Sequence, residues 1–284
     1  MAMISNQKSG DDSTNLQAGR DIVVNTSNSI ALYSIEEVAK QLMGSVFGEL
    51  PNETKKQIET NQKSYFQALS ENLRGIIKQN DELKKVIDSP DFQYISKTAL
   101  ISASRSSSAE LHKNLSSLII QRINNDSEDL KRIVYDETIS TINKLTKDQL
   151  KILTLCFLLK RTKMNGLINI TQFNQYLEQR IKPFIDFKKT TAEFEHLVYT
   201  GCASISIVSH DINDLLQGNY PEIFKDNNTP KKLLADNETA TKLTSVWKDT
   251  QIQNMNLTSV GIVIASTFYE QVTSDRINID IWIN

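Results

Sequence analysis

Few side chains here are of the types that do chemistry at neutral pH, since 284 residues include only three histidines and two cysteines. His196, the pair His210-Asp211 and a later aspartate, Asp226 or Asp236, stand in an order that could ligate a divalent metal and activate water for hydrolysis. The local context argues otherwise. Asp211 reads as the cap of a helix that runs on through Leu215 and Leu216, and His196 as a hydrogen-bonded core or interface residue, so no metal ligand is assigned. Cys156 lies inside the apolar run Leu153-Thr154-Leu155-Cys156-Phe157-Leu158-Leu159, and Cys202 follows Gly201. Their spacing builds neither a disulfide framework nor a metal quartet, and both are expected as buried thiols. Ser102-Ala103-Ser104-Arg105-Ser106-Ser107-Ser108 offers hydroxyls without a paired base and reads as a helix junction, and no glycine-rich phosphate loop occurs. The sequence thus assigns no catalytic residue and no cofactor, and predicts a non-enzymatic protein.

Composition narrows the classes further. The chain is 39% hydrophobic and 23% charged, with a formal net charge of −2 and a pI near 6.0. That suits a folded protein with ample core and gives no general attraction to nucleic acid or to an anionic membrane. No stretch approaches the ~18 apolar residues of a membrane span, and no signal-peptide core is present. A cytoplasmic protein without a membrane partner is expected.

The elements that would carry any function are mostly helices. Ser34 followed by Glu37 is a capping box for an amphipathic run that Pro51 ends, and a polar helix with a thin apolar stripe extends from Asn52 to about Asn80. After Ser89-Pro90 three further helices are predicted: Phe92 to Ser104, Ser108 to Ile123, and Ser127 to Leu145. The last carries the stripe Leu130, Ile133, Val134, Ile139 and Ile142. These make a helical bundle over residues 33–145. At Thr146 the character changes. Thr146-Lys147-Asp148-Gln149 opens an apolar helix to Leu159, followed by helices over Ile170 to Ile185 and Thr190 to Tyr199, the latter closed by Gly201. Ala203 to Val208 alternates like a strand, Ile252 to Leu257 is a second strand leading into a helix, and Arg276 to Ile283 alternates again. Helix, helix, helix, strand, strand, helix is the order of a winged helix-turn-helix. The predicted architecture for 146–284 is therefore a winged-helix-like module, with a helical insertion at about 210–251 that is too apolar for a linker.

Residues 1–32 have a different character. Gly10 to Val24 is polar, punctuated by glycine and strand-like, and a lone strand leaves its backbone N–H and C=O groups unpaired, so pairing with copies from other chains is expected. The residues expected to carry this oligomerisation are Asn15, Gln17, Gly19, Arg20, Asp21 and Ile22. The segment Gly10, Asp11, Ser13, Asn15, Gln17, Ala18, Gly19, Arg20, Asp21, Ile22 resembles one with the form Gly-Asp-x-Ser-x-Asn-x-Gln-Ala-Gly-Arg-Asp-Ile. That form precedes helical and enzymatic domains in uncharacterised bacterial proteins associated with phage defence or conflict. Asn143 to Leu150 and Leu257 to Gly261 likewise resemble the helical and winged-helix-like body of one such family. Leu16-Gln17-Ala18-Gly19 is similar to the core of amyloid-type signalling motifs, but Arg20 and the aspartates would stack like charges along a fibre, which favours a closed trimer or tetramer.

The expectation is a mainly α protein with a short N-terminal β segment for homo-oligomerisation. It would act as an interaction, assembly or sensor component of a bacterial (anti-phage) defence or stress system, with a protein partner. The alternative is a winged-helix DNA-binding transcriptional regulator, in which Thr190 to Tyr199 enters the groove and Lys188 and Lys189 meet phosphates. Glu193 and Glu195 in the middle of that helix oppose it, so nucleic acid is not the expected partner.

Overall fold

The computed structural model describes residues 36–37, 40–41, 45–73, 76, 80–225 and 228–279. The predicted N-terminal β segment, with all six of its oligomerisation residues, lies outside them, as does Ser34 of the first capping box.

The bundle consists of α1 (Asn52–Asn72), α2 (Asn80–Ile87), α3 (Pro90–Ser104), α4 (Ala109–Asn124) and α5 (Asp129–Thr141). Pro51 precedes the first turn of α1, where a missing N–H costs nothing. The Ser89 hydroxyl caps α3 by accepting from Phe92 N–H, and Ser108 caps α4 by accepting from Leu111 N–H. The thin stripe of α1 is buried as its spacing predicts, at Ile58, Tyr65, Leu69 and Leu73, against α3 and α4. Three features differ from the sequence reading. The helix expected to reach about Asn80 ends at Asn72. Helix α2 was not predicted, because its eight residues carry only a short apolar pattern. Leu130 and Ile133 are exposed rather than part of the α5 stripe: α5 buries Val134, Tyr135, Thr138 and Ile139, and Ile142 just beyond its end is buried too.

The second half contains α6 (Lys147–Lys160), α7 (Ile170–Tyr176), α8 (Thr191–Tyr199), β1 (Ala203–Ile205), α9 (Ile212–Asn219), α10 (Pro230–Leu233), α11 (Glu238–Asp249), β2 (Met255–Leu257) and α12 (Ser259–Thr273). The Thr146 and Gln149 capping box forms in both directions at the start of α6. Helix α7 passes into a π turn over Leu177–Ile181 and a 3-10 turn over Lys182–Phe184, where Pro183 cannot donate to a regular ladder. β1 and β2 pair antiparallel with Ala203 opposite Leu257 and Ile205 opposite Met255, and α9 to α11 fill the insertion between them. The expected order of three helices, two strands and a helix is present, and the chain is mainly α.

Helices α6 and α12 are apolar nearly all round and pack on each other; α12 also lies against α4 and α5. The buried apolar side chains consequently form one cluster running from Phe47 to Ile279, continuous across the turn at Ile142 to Thr146. The strand expected from Arg276 is not formed over 276–279, although Ile279 is buried and Ile277 packs against the core; 280–284 lie outside the described residues. Alternation by itself does not supply the neighbouring strand that a ladder needs.

Candidate interaction surface

The loop-and-strand wing after α8 is fixed at its base by backbone geometry. Gly201 takes φ +73°, and α8 ends with Gly201 N–H donating to Val198 C=O at 3.0 Å and Cys202 N–H to Leu197 C=O at 2.9 Å. This doubly bonded ending needs a left-handed residue, which glycine adopts without strain. The Cys202 carbonyl then accepts from Thr258 N–H at 3.1 Å, the Thr258 hydroxyl donates to Gly201 C=O at 2.7 Å, and the same hydroxyl accepts from Gly261 N–H at 3.2 Å. Gly261 lies directly against the Cys202 carbonyl oxygen, where any Cβ would collide with it. Beneath the sheet, Lys160 Nζ donates to the carbonyls of Gln253 at 2.9 Å and Met255 at 2.8 Å and sits 5.3 Å from the Trp247 ring centroid. Burial lowers the pKa of this amine.

From this fixed base the chain presents apolar side chains to solvent. Tyr199 is 87% exposed, Ile207 fully exposed and Val208 57% exposed, and Val198 and Ile205 are exposed as well. All five fall between residues 198 and 208. Alternation predicts Ile205, Ile207 and Val208 in one strand; the last ladder bond is Ser206 N–H to Asn254 C=O at 2.8 Å, and Ile207 and Val208 lie beyond it. These five exposed apolar side chains are distributed over the end of α8, β1 and the irregular segment that follows it.

The side chains considered for metal or nucleic-acid chemistry are placed apart from this surface or are otherwise engaged. His196 Nδ1 is hydrogen-bonded to the Gln149 side chain, and its ring lies 6.2 Å from that of Tyr199. The His210 carbonyl accepts from Trp247 Nε1 at 2.7 Å. Asp211 caps α9 as expected, accepting from Asn213 N–H at 2.7 Å, a bond that holds its carboxyl below the usual range. Asp236 is exposed, and Asp226 is outside the described residues. Among the described residues no three His, Cys, Asp or Glu side chains gather as a metal set. Cys156 and Cys202 are both buried free thiols, as their sequence context predicts. Lys188 and Lys189 are exposed, but Lys189 Nζ reaches back toward Ser245 Oγ at 3.4 Å and Asp249 at 3.9 Å on α11. Glu195 stands exposed on α8, and the carboxylate of Glu193 accepts from the Thr146 hydroxyl at 3.3 Å.

The fold and its surface define a mainly α-helical protein with an insertion-bearing wing. A family model whose description reads ":-like" matches residues 30–235 and 225–283, and the chain belongs to that family. No curated protein and no solved structure matches it. No described helix is long and apolar enough to cross a membrane.

Proposed function

We propose that this protein is a non-enzymatic, cytoplasmic assembly component of a bacterial (anti-phage) defence or stress system. The segment around Gln17 to Ile22 gathers protomers into a trimer or tetramer, and each protomer presents its wing to a protein partner. The observation that carries this reading is the run of exposed apolar side chains from Val198 to Val208 on a rigid base. Such a surface gains by excluding water from a partner of matching shape, whereas a phosphate-facing helix would carry cations in place of Glu193 and Glu195. Repeating the surface on several protomers raises avidity without new contacts. The defence setting rests on the resemblance of the opening segment.

The test is the absolute solution mass, by light scattering on a sizing column, of the full chain and of a chain starting at Ser29. A closed multimer that falls to a lower order on truncation is expected. Identical masses would overturn the assembly role. The DNA-binding alternative predicts salt-dependent binding to random duplex, and the proposed reading predicts none.

A further inference from the structure

Between α6 and α7 the chain crosses the loop 161–169, which is tied down on both sides of its turn. Met164 N–H donates to the Tyr220 hydroxyl at 3.1 Å. Ile168 N–H donates to Gln172 Oε1 at 3.0 Å, one residue before the Asn169 side chain caps α7. Asn165 and Gly166 form the turn between these two anchors, and neither anchor uses a polar group of theirs.

Asn165 is the one asparagine of the chain that a glycine follows. It is exposed, and its side-chain amide makes no hydrogen bond with a described residue. The Gly166 N–H likewise donates to no described acceptor, and Gly166 takes φ +81° with open space where a Cβ would stand. A side chain on the following residue shields its backbone nitrogen from the asparagine Cγ and restricts the rotations that bring the two together; glycine removes both obstacles. Other asparagines are held by hydrogen bonds and precede larger residues. Asn61 Nδ2 donates to Ser104 C=O at 2.9 Å, Asn143 Nδ2 to Ser102 Oγ at 2.7 Å, and Asn237 Oδ1 accepts from Ala240 N–H at 2.8 Å.

The electrostatic setting acts in the same direction. Asn165 borders a cavity of about 730 Å3 whose lining also carries Arg161 and Lys163. Asp275, the carboxylate on that lining, is engaged by Arg180, and Arg276 is engaged by Glu270. A positive field at the turn favours loss of the Gly166 amide proton and the anionic tetrahedral species that forms when its nitrogen attacks a carbonyl carbon.

We propose that Asn165 is a site of spontaneous deamidation in the folded protein. The Gly166 nitrogen gives its proton to solvent base and bonds to Asn165 Cγ; the Cγ–Nδ2 bond breaks, and ammonia leaves with a proton taken from solvent. Water then opens the resulting succinimide. Cleavage between the ring nitrogen and Cγ gives aspartate, and cleavage between the ring nitrogen and the Asn165 backbone carbonyl carbon gives isoaspartate. Either product replaces a neutral amide by a carboxylate on the cavity lining that carries Arg161 and Lys163, and isoaspartate also lengthens the backbone between the two anchors by one methylene. Water is the co-reactant, and no oxidant enters the balance.

Incubation of the folded full chain at body temperature and mildly alkaline pH tests this, with peptide mass mapping and isoaspartate methyltransferase labelling at intervals. The peptide holding Asn165 should gain about 1 Da and accept label, while the peptides holding Asn61, Asn143 and Asn237 stay unchanged over the same period. Asn165→Gln should slow conversion at this position about tenfold or more, because the longer side chain must close a larger ring. Gly166→Ala should slow it as well, by restoring a Cβ beside the attacking nitrogen. The glutamine variant leaves the glycine turn intact and so stands as the test even where alanine is strained at this φ. The inference is overturned by an Asn165 peptide that stays unmodified, by conversion confined to chain unfolded in urea, or by an undiminished rate in the glutamine variant.

Discussion

The two halves of this protein hold their helices together by different means. In the bundle, the interior between α1, α3 and α4 is threaded with hydrogen bonds. Asn61 Nδ2 donates to Ser104 C=O at 2.9 Å and Gln62 Nε2 to Ser104 Oγ at 3.0 Å. The buried His112 meets Ser64 Oγ through Nδ1 at 2.8 Å, and its Nε2 faces the carbonyls of Ser106 at 2.8 Å and Ala103 at 3.1 Å. Carbonyls only accept, so Nε2 carries the proton. Lower in the bundle, the fully buried Arg122 donates to Asp136 at 2.7 Å, Asp126 at 2.5 Å and Asp91 at 2.6 Å, joining α3, α4, α5 and the turn between the last two. In the second half, α6 and α12 meet through apolar side chains, with Thr154 Oγ1 donating to Ala265 C=O at 3.3 Å. The first half is registered at its core by directional bonds and charge, and the α6–α12 contact of the second half by shape, so these two contacts should fail under different perturbations.

The largest expected effect is in the half held by shape. Gly261→Ala would drive a Cβ into the Cys202 carbonyl and separate α12 from the wing base, with an expected loss of more than about 3 kcal/mol in urea unfolding. Gly218→Ala is the control: it sits in α9 with open space where a Cβ would go, and should be neutral or stabilising by up to about 1 kcal/mol. Similar effects for the two glycines would remove the argument from shape.

Next is the charge cluster. Arg122→Met should cost about 3 kcal/mol at neutral pH, because three carboxylates are left beside a buried apolar chain. Burial already pushes the Asp136 carboxyl up, against the pull of Arg122. Without the arginine the folded-state Asp136 carboxyl rises further above its unfolded value. Folded protein then binds protons more readily than unfolded, so stability is gained as pH falls, and the variant's deficit should narrow toward about pH 4. A deficit that stays constant from neutral to acid would show that Arg122 acts by packing alone.

A smaller effect lies at alkaline pH. Burial pushes the Cys156 thiol from its ordinary 9.0 to about 12. Between those values the unfolded chain ionises and the folded one does not, so the stability this thiol contributes is present below about pH 9 and lost as pH rises toward 12. Cys156→Ala should make the fall in unfolding free energy, from urea titrations between about pH 8 and 10.5, shallower by up to about 2 kcal/mol. An unchanged slope would place the alkaline loss elsewhere.

Much of the second half was readable because its signals are local. The reciprocal cap of Thr146 and Gln149, the Asp211 cap, the glycine closing α8 and the all-round apolar character of α6 each depend on residues within a turn or two. The errors share one cause. Leu130 and Ile133 fit the helical period of α5 but lie on the side that no described residues cover, and Ile207 continues the alternation of β1 past the last ladder bond. Period states which residues share a face; it does not state what covers that face.

The candidate sites were less legible for the same reason. The five exposed residues of the wing look in sequence like ordinary helix and strand content, and it is the absence of a described element packed over them that leaves them in solvent. Arg122 lies 31 residues from Asp91 and 14 from Asp136, too far apart for local spacing to link them.

What the sequence by itself determined is the helical class, the caps at Thr146, Asp211 and Gly201, the order of three helices, two strands and a helix, and the buried state of both cysteines. Those follow from backbone donors that must be capped nearby and from apolar spacing within single elements. Only the tertiary structure decided that Gly261 touches Cys202 and that one arginine gathers three aspartates. Those facts depend on how elements distant in sequence are brought together by burying their apolar faces, a non-directional force that local patterns do not encode.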